Sequence, residues 1–111
     1  MQAGEVVRVD FGVPQGSEPG FIRPAVIVTA DRVLAAGPRT LHVVPITSNT
    51  TRRLPTELDV ETDDHVVAGM AQAHLCAVIS TSRVVAQGLG SIGVTALTQI
   101  RSVISDLLDL P

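Results

Sequence analysis

The chain has 111 residues, which is enough for one modest hydrophobic core and too few for a second. Its net charge of −3 argues against a general basic coat for nucleic acid but allows one focused cationic site. Trp and Tyr are absent, so only Phe11 and Phe21 could stack on a base. We therefore expect a single domain without a broad nucleic-acid surface.

Cysteine usage and hydropathy indicate the compartment. The single cysteine, Cys76, cannot form an internal disulfide. The chain does not open with a charged segment followed by an apolar leader, and no apolar run approaches the ~20 residues of a membrane span. We expect a soluble cytoplasmic protein with no membrane-spanning segment.

The first half of the chain predicts three strands and one long loop. Alternating apolar and polar residues over 4–12 predict a half-buried strand. The Gly- and Pro-rich residues 12–22 predict a long, mobile loop, and such loops often act as lids. The apolar, β-branched run 24–30 predicts a central strand, which a helical turn follows. Residues 40–46 predict a third strand, and Pro45 indicates that its end lies near an edge.

The second half predicts two further strands and a helix. Residues 54–60 predict a fourth strand, and residues 69–80 predict a fifth. One face of that fifth strand would carry Met70, Gln72, His74 and Cys76. Apolar residues then recur at helical spacing, at Leu97, Ile100, Ile104, Leu107 and Leu108. The pattern predicts a mainly β fold, a small barrel or strongly bent sheet with one C-terminal helix packed on it.

Arg23 stands where the polar loop meets the buried strand, so we expect its charged end at the rim of a concave surface. It could instead be a surface arginine that pairs with Glu18 or Asp31. A polar cluster that includes Thr47 follows the third strand and could be an ordinary hairpin loop. If the two strand ends lie side by side, Arg23 and Thr47 converge. An arginine with hydroxyl groups forms a phosphate site that needs no metal.

Other kinds of site have little support in the sequence. No Walker-type phosphate loop or dinucleotide fingerprint is present. The histidines and Cys76 do not have the spacing of zinc ligands, so we predict neither a metal nor a cofactor, and we interpret Cys76 as an inert core residue. The acidic residues within 57–64 are interpreted as a solvated face that would repel a polyanionic ligand from that side.

The stretches "GEVVRVDFG", "GSEPGFIRPAVIVTAD", "VVPITSN" and "GSIGVTALTQIRSVISDLLDL" occur in the order and spacing of the MazF/PemK toxins, and the chain resembles this family nearly end to end. The resemblance implies an SH3-like small β-barrel with a C-terminal α-helix, as one toxin domain over residues 1–111. It also implies a homodimeric, metal-independent endoribonuclease of a type II toxin–antitoxin system. Such enzymes cut single-stranded mRNA at a short specific sequence and leave 2′,3′-cyclic phosphate and 5′-hydroxyl ends. A cognate antitoxin inhibits them by covering the RNA groove.

The resemblance also implies which residues act. The catalytic arginine and threonine of the family fall on Arg23 and Thr47, and the serine of its loop motif falls on Ser17. Because the 2′-oxygen of the RNA attacks the phosphorus, no protein nucleophile is needed. Arg23 would stabilise the developing charge, and Thr47 would hydrogen-bond a phosphate oxygen or the 2′-hydroxyl. The predicted RNA contacts are Ser17, Glu18, Ser48, Asn49, Arg52, Arg53, Gln72 and His74.

The fifth strand departs from the family pattern. Many relatives carry an acid–Gln–x–Arg motif there. The equivalent positions here are His74, Leu75, Cys76 and Ala77, and Gln72 occupies the position of a further arginine. His74 could act as an acid or base near neutrality, or be a surface histidine without a catalytic role. Two alternatives to a ribonuclease stay open. One is a poison of DNA gyrase that shares this fold and acts by binding, and the other is a catalytically weakened RNA-binding relative.

Overall fold

The computed structural model describes residues 1–49, 51 and 53–111, and in this part of the chain it contains seven strands and two α-helices. The strands are β1 (Val6–Asp10), β2 (Ile22–Ile27), β3 (Thr40–Thr47), β4 (Glu57–Glu61), β5 (Ala68–Gln72), β6 (Ala77–Ser80) and β7 (Val84–Ala86). The helices are α1 (Asp31–Leu34) and α2 (Gly93–Leu107), and 3-10 turns span Ala73–Leu75 and Thr81–Arg83.

The strands form one antiparallel sheet in the order β4-β5-β3-β2-β1-β7, with β6 paired to β3 beside β5. Among the described residues, the edge strands β4 and β7 do not pair with each other, so the sheet is barrel-like without being closed. The predicted fold class, an SH3-like small β-barrel with a C-terminal helix, is confirmed in this open form. The seventh strand was not predicted, because three residues are too few to show a period.

The predicted continuous fifth strand is wrong. The chain forms β5, then the turn Ala73–Leu75, and then β6, so Gln72 and His74 do not share a strand face. The pairing partners explain the break, since β5 pairs with the end of β3 at Ile46 and Thr47, whereas β6 pairs with its first four residues. Pro45 lies between these two halves, and because proline has no backbone N–H it cannot donate a hydrogen bond to a neighbouring strand there. Pro45 is thus a buried residue of a central strand, and its predicted position near an edge is also wrong.

Both faces of the central strands are buried. On one face Val6, Val26 and Val44 form a core with residues of α2, and on the other face Val7 and Ile27 belong to a second apolar cluster. This two-sided burial accounts for the nearly continuous apolar sequence of β2, because a strand with one solvent-exposed face would alternate apolar and polar residues. The first strand, predicted to be half-buried, is buried on both sides at Val6 and Val7.

Helix α2 packs on the sheet through Leu97 and Ile100, whereas Leu107 and Leu108 of the predicted apolar stripe are exposed. Arg101 ties the helix to the chain that follows β2. Its Nε and Nη2 atoms donate to the carbonyl oxygen of Val28 at 3.2 and 2.9 Å. In the described part of the chain, no helix has the length and apolar character needed to cross a membrane.

We expect Ile100→Ala to lower the free energy of unfolding by about 2–5 kcal/mol, because Ile100 is a fully buried residue of α2 and its truncation leaves a cavity. Val94→Ala is the matched control, since Val94 is on the same helix and 80% exposed, and it should change stability by no more than about 0.5 kcal/mol. Denaturant unfolding of both variants measures the difference. Equal costs for the two would show that α2 does not contribute to the core as described.

Candidate functional site

The start of β2 and the end of β3 form the walls of one cleft of about 280 Å³. Arg23 is the second residue of β2 and Thr47 is the last residue of β3, and both line this cleft. The strand register pairs Ala25 with Pro45, and the same register continued by two residues aligns position 23 with position 47. The structure therefore brings together the two residues that the sequence singled out.

The Arg23 guanidinium has no ion-pair partner in the described part of the chain. Among the residues that the structure describes, no carboxylate oxygen lies within 4.0 Å of it. Asp31 instead accepts a hydrogen bond from the Ala3 amide at 2.7 Å, and Glu18 is an exposed residue of the loop. The alternative of a simple surface ion pair with Glu18 or Asp31 is therefore wrong. A half-buried cation without a carboxylate is available to an anion that enters the cleft.

Local hydrogen bonds hold Thr47 and the residues after it. The Thr47 Oγ1 atom accepts from the Asn49 amide at 3.2 Å, which leaves the hydroxyl hydrogen available to donate. The Asn49 Oδ1 atom accepts from the amide and the hydroxyl of Thr51 at 3.1 and 2.7 Å. Gly69 of β5 permits the close approach on the other side, because a Cβ there would collide with the Thr47 carbonyl oxygen. The threonine is thus fixed by its own turn and by a neighbouring strand.

A second cleft of about 230 Å³ adjoins the first and shares Thr47 with it. Glu57 and Gln72 line this second cleft together with Asn49 and Leu54. Glu57 is only 8% exposed, and its carboxylate accepts from the Leu54 amide at 3.0 Å and from Gln72 Nε2 at 3.4 Å. Interpreting all acids of this segment as a solvated face was therefore wrong for Glu57. Its contact with Gln72 was not predictable from local sequence, because the two residues are fifteen positions apart.

Gln72 presents a further polar atom in this region. Its Nε2 is held by Glu57, whereas its Oε1 is buried and has no hydrogen-bond partner among the described residues. Buried acceptors in proteins are nearly always paired. Gln72 lines the second cleft, but its Oε1 atom is itself buried, so a ligand donor reaches this acceptor only if the side chain moves.

The loop residues stand apart from the cleft in this structure. Ser17 and Glu18 are exposed and neither lines the cleft wall, whereas Ser48 does. The ends of the loop are pinned by two hydrogen bonds: the Phe21 amide donates to the Gly12 carbonyl at 2.6 Å, and the Phe11 amide donates to the Phe21 carbonyl at 2.9 Å. Ser17 and Glu18 can therefore contact a ligand in the cleft only if the loop between those pinned ends changes position.

Two more of the predicted RNA contacts are engaged elsewhere. Arg53 pairs with exposed Asp59 on β4, and this hydrogen-bonded carboxylate raises the pKa of the guanidinium. His74 is exposed on the turn after β5, and its Nδ1 lies 2.9 Å from the Thr56 hydroxyl. Neither residue lines the clefts around Thr47. Arg52 lies outside the described residues.

Cys76 is not placed to act as a nucleophile at the cleft. It lines a separate groove between α2 and the sheet, and partial burial raises the pKa of its thiol. A raised thiol pKa leaves less of the reactive thiolate near neutrality. In the described part of the chain, no three His, Cys, Asp or Glu side chains come together as a possible metal-binding group.

Comparisons with known proteins agree on one family. A family model described as "PemK-like, MazF-like toxin of type II toxin-antitoxin system" matches residues 2–108. Endoribonuclease MazF9 of Mycobacterium tuberculosis is 34% identical over 116 residues, an alignment that covers 99% of this chain and 98% of the relative.

Solved structures show the same fold. MazF from Deinococcus radiodurans superposes with a TM-score of 0.84 at 23% identity, over 99% of this chain and 97% of that one. A mycobacterial endoribonuclease in complex with its cognate antitoxin superposes with a TM-score of 0.77 at 21% identity, over 100% and 97% of the two chains. The fold is thus shared nearly end to end.

The hydrogen bonds of Glu57 lead to a stability prediction. Glu57→Gln keeps the size of the side chain but presents an NH₂ group to one of two donors, the Leu54 amide or the Gln72 amide. The buried donor left unpaired should cost about 1–3 kcal/mol of unfolding free energy. The control is Glu61→Gln at the exposed end of β4, which should cost less than about 1 kcal/mol although it weakens an exposed hydrogen bond with His65. Denaturant unfolding that gives equal costs for both variants would contradict the buried role of Glu57.

Proposed function

We propose that the chain, which belongs to the PemK-like, MazF-like toxins of type II toxin–antitoxin systems, is an endoribonuclease that cleaves single-stranded mRNA at a short specific sequence. One observation carries the proposal: the unpaired guanidinium of Arg23 and the hydroxyl of Thr47 line the same cleft. The family membership confirms the resemblance seen in the sequence. The reaction and the roles of individual residues are the proposal.

The reaction uses a nucleophile that the RNA supplies. The 2′-oxygen loses its proton and attacks the adjacent phosphorus, while the bond from phosphorus to the 5′-oxygen breaks and that oxygen gains a proton. The products are a 2′,3′-cyclic phosphate and a 5′-hydroxyl. The lack of a suitable thiol at the cleft is consistent with this course, because Cys76 lines a different groove.

Arg23 and Thr47 suit the demands of that transition state. Negative charge grows on the phosphate oxygens as the five-coordinate phosphorus forms, and a fixed cation stabilises it more than it stabilises the ground state. Arg23 supplies that charge, and because a guanidinium is a poor base we do not assign it the abstraction of the proton. The free hydroxyl hydrogen of Thr47 can donate to a non-bridging oxygen or to the 2′-oxygen.

The residues around Thr47 suit RNA binding more than chemistry. Ser48 lines the first cleft, and Asn49 and Gln72 line the second, so an RNA strand that follows the two clefts meets them in succession. The unpaired Oε1 of Gln72 is buried in the free protein, and we assign it a hydrogen bond from a ribose hydroxyl or a base amino group once the side chain turns toward the RNA. We propose that Ser17 and Glu18 contact the RNA when the loop moves over it. We also propose that Arg53 and His74 contact the RNA at the periphery of the site.

The acidic segment sets the direction from which RNA approaches. Asp59, Glu61, Asp63 and Asp64 are exposed, and Arg53 is partly neutralised by its ion pair with Asp59. Phosphates are repelled from that side and attracted to the unpaired Arg23. We also propose a homodimer and a cognate antitoxin that covers the RNA-binding surface. A solved relative of the same fold in complex with its cognate antitoxin supports the second of these partners.

Cleavage of RNA in EDTA tests the proposed function. We expect the purified protein to cut a long single-stranded RNA at discrete sites and to leave 5′-hydroxyl ends, which polynucleotide kinase labels without prior phosphatase treatment. Arg23→Ala and Thr47→Val should each lower the rate by about 10²–10³-fold, the usual cost of one donor to the transition state. Arg32→Ala is the matched control, because Arg32 is an exposed arginine of α1 outside the cleft.

Two results would contradict the proposal. Discrete cleavage that survives Arg23→Ala would place the chemistry elsewhere in the molecule. Intact RNA with a folded protein would favour one of the two binding alternatives. Inhibition of DNA gyrase would then indicate the gyrase poison, whereas RNA binding without cleavage would indicate the weakened RNA-binding relative.

A further inference from the structure

Phe21 combines an exposed aromatic ring with an unusual backbone. Its φ is 59°, in the left-handed region that bulky residues rarely adopt, and the residue is 65% exposed. Its amide and carbonyl groups are the two that close the loop, by hydrogen bonds to Gly12 and Phe11. The backbone is therefore fixed, yet the ring gains little from burial in the fold. Strain held at an exposed position of this kind points to a role in function.

The ring stands on the wall of the proposed catalytic cleft. Phe21 lines the cleft of Arg23 and Thr47. It also lines a separate, mainly apolar groove of about 490 Å³, which is formed with Asp10, Val13 and Ile22. Phe21 and its neighbour Ile22 both line the two depressions and so lie between them. The ring of Phe21 is therefore within reach of the base of a nucleotide whose phosphate lies at Arg23.

No other aromatic side chain of the described residues offers a comparable surface. The sequence has no Trp or Tyr, and the second phenylalanine, Phe11, is partly buried against the core cluster that contains Val9 and Ile27. Single-stranded nucleic acids are commonly held by stacking of bases on exposed aromatic rings. An endoribonuclease with one such ring therefore has one place for this interaction.

We propose that Phe21 is a positioning residue that stacks on the base of a nucleotide next to the scissile phosphate. This inference rests on the proposed function and adds a base-recognition site to it. Stacking holds the nucleotide so that its phosphate remains beside Arg23. The left-handed backbone of Phe21 directs the ring toward the RNA at a cost to the stability of the free protein.

Phe21→Asn separates stacking from loop structure. Asparagine tolerates the left-handed backbone, so this variant should fold with a Tm equal to that of the wild type or a few degrees higher. Its kcat/KM on a short RNA with the mapped cleavage site should nevertheless fall by about 5- to 100-fold, the range for loss of one base–aromatic stack. Phe21→Trp keeps a ring and should retain activity within about threefold of the wild type. The control Val94→Asn changes an exposed apolar residue of α2 and should leave the activity unchanged.

An abasic nucleotide provides the readout that a structural role would not affect. Placed at the stacked position, it should slow cleavage by the wild type but have little further effect on Phe21→Asn. Abasic penalties that are the same in both proteins, or full activity of Phe21→Asn, would overturn the inference. If the wild type cleaves no RNA, the proposed catalytic function fails, and fluorescence anisotropy with the same RNAs then tests stacking through binding. The stacking inference would also be overturned if the protein does not bind these RNAs, or if neither Phe21→Asn nor the abasic nucleotide weakens binding.

Discussion

The antiparallel pairing of β2 with β3 determines where the proposed catalytic groups lie. Both strands are buried on two faces, so a shift of register by one residue would turn apolar side chains from one core cluster into the other. The register is therefore strongly specified by packing. It aligns the start of β2 with the end of β3, and so it sets Arg23 and Thr47 on the same cleft. A constraint on the hydrophobic core thus fixes the geometry of a polar site.

The position of Arg23 also limits its energetic cost. A buried charge without a partner is expensive, but Arg23 lies at the open end of its strand and is only half-buried. Water can reach the guanidinium in the free protein, and an RNA phosphate can replace that water. The fold keeps carboxylates away from the same cleft, because the buried Glu57 is held by Leu54 and Gln72 in the adjoining one. The site is thereby preorganised for an anion.

Local sequence signals predicted much of the fold and the centre of the site. Alternating residues marked β1, a continuous apolar run marked β2, and helical spacing of apolar residues marked α2. The placement of Arg23 between a polar loop and an apolar strand indicated a concave rim. The interruption after Gln72 was not predictable, because it depends on which half of β3 each following segment pairs with. The burial of Glu57 likewise depends on a partner distant in the sequence. The left-handed backbone of Phe21 was hidden for a similar reason, since the hydrogen bonds that fix it involve Phe11 and Gly12.

In the proposed reaction the RNA supplies the nucleophile, and the protein supplies the charge of Arg23 and the hydroxyl of Thr47. The most direct test is cleavage, in EDTA, of an RNA in which one mapped site carries a 2′-deoxynucleotide on the 5′ side of the scissile phosphate. We expect no cleavage at this site, while a second, unmodified site in the same molecule is cut at the normal rate. Cleavage at the deoxynucleotide would require water or a protein group as the nucleophile and would show that the RNA does not supply it.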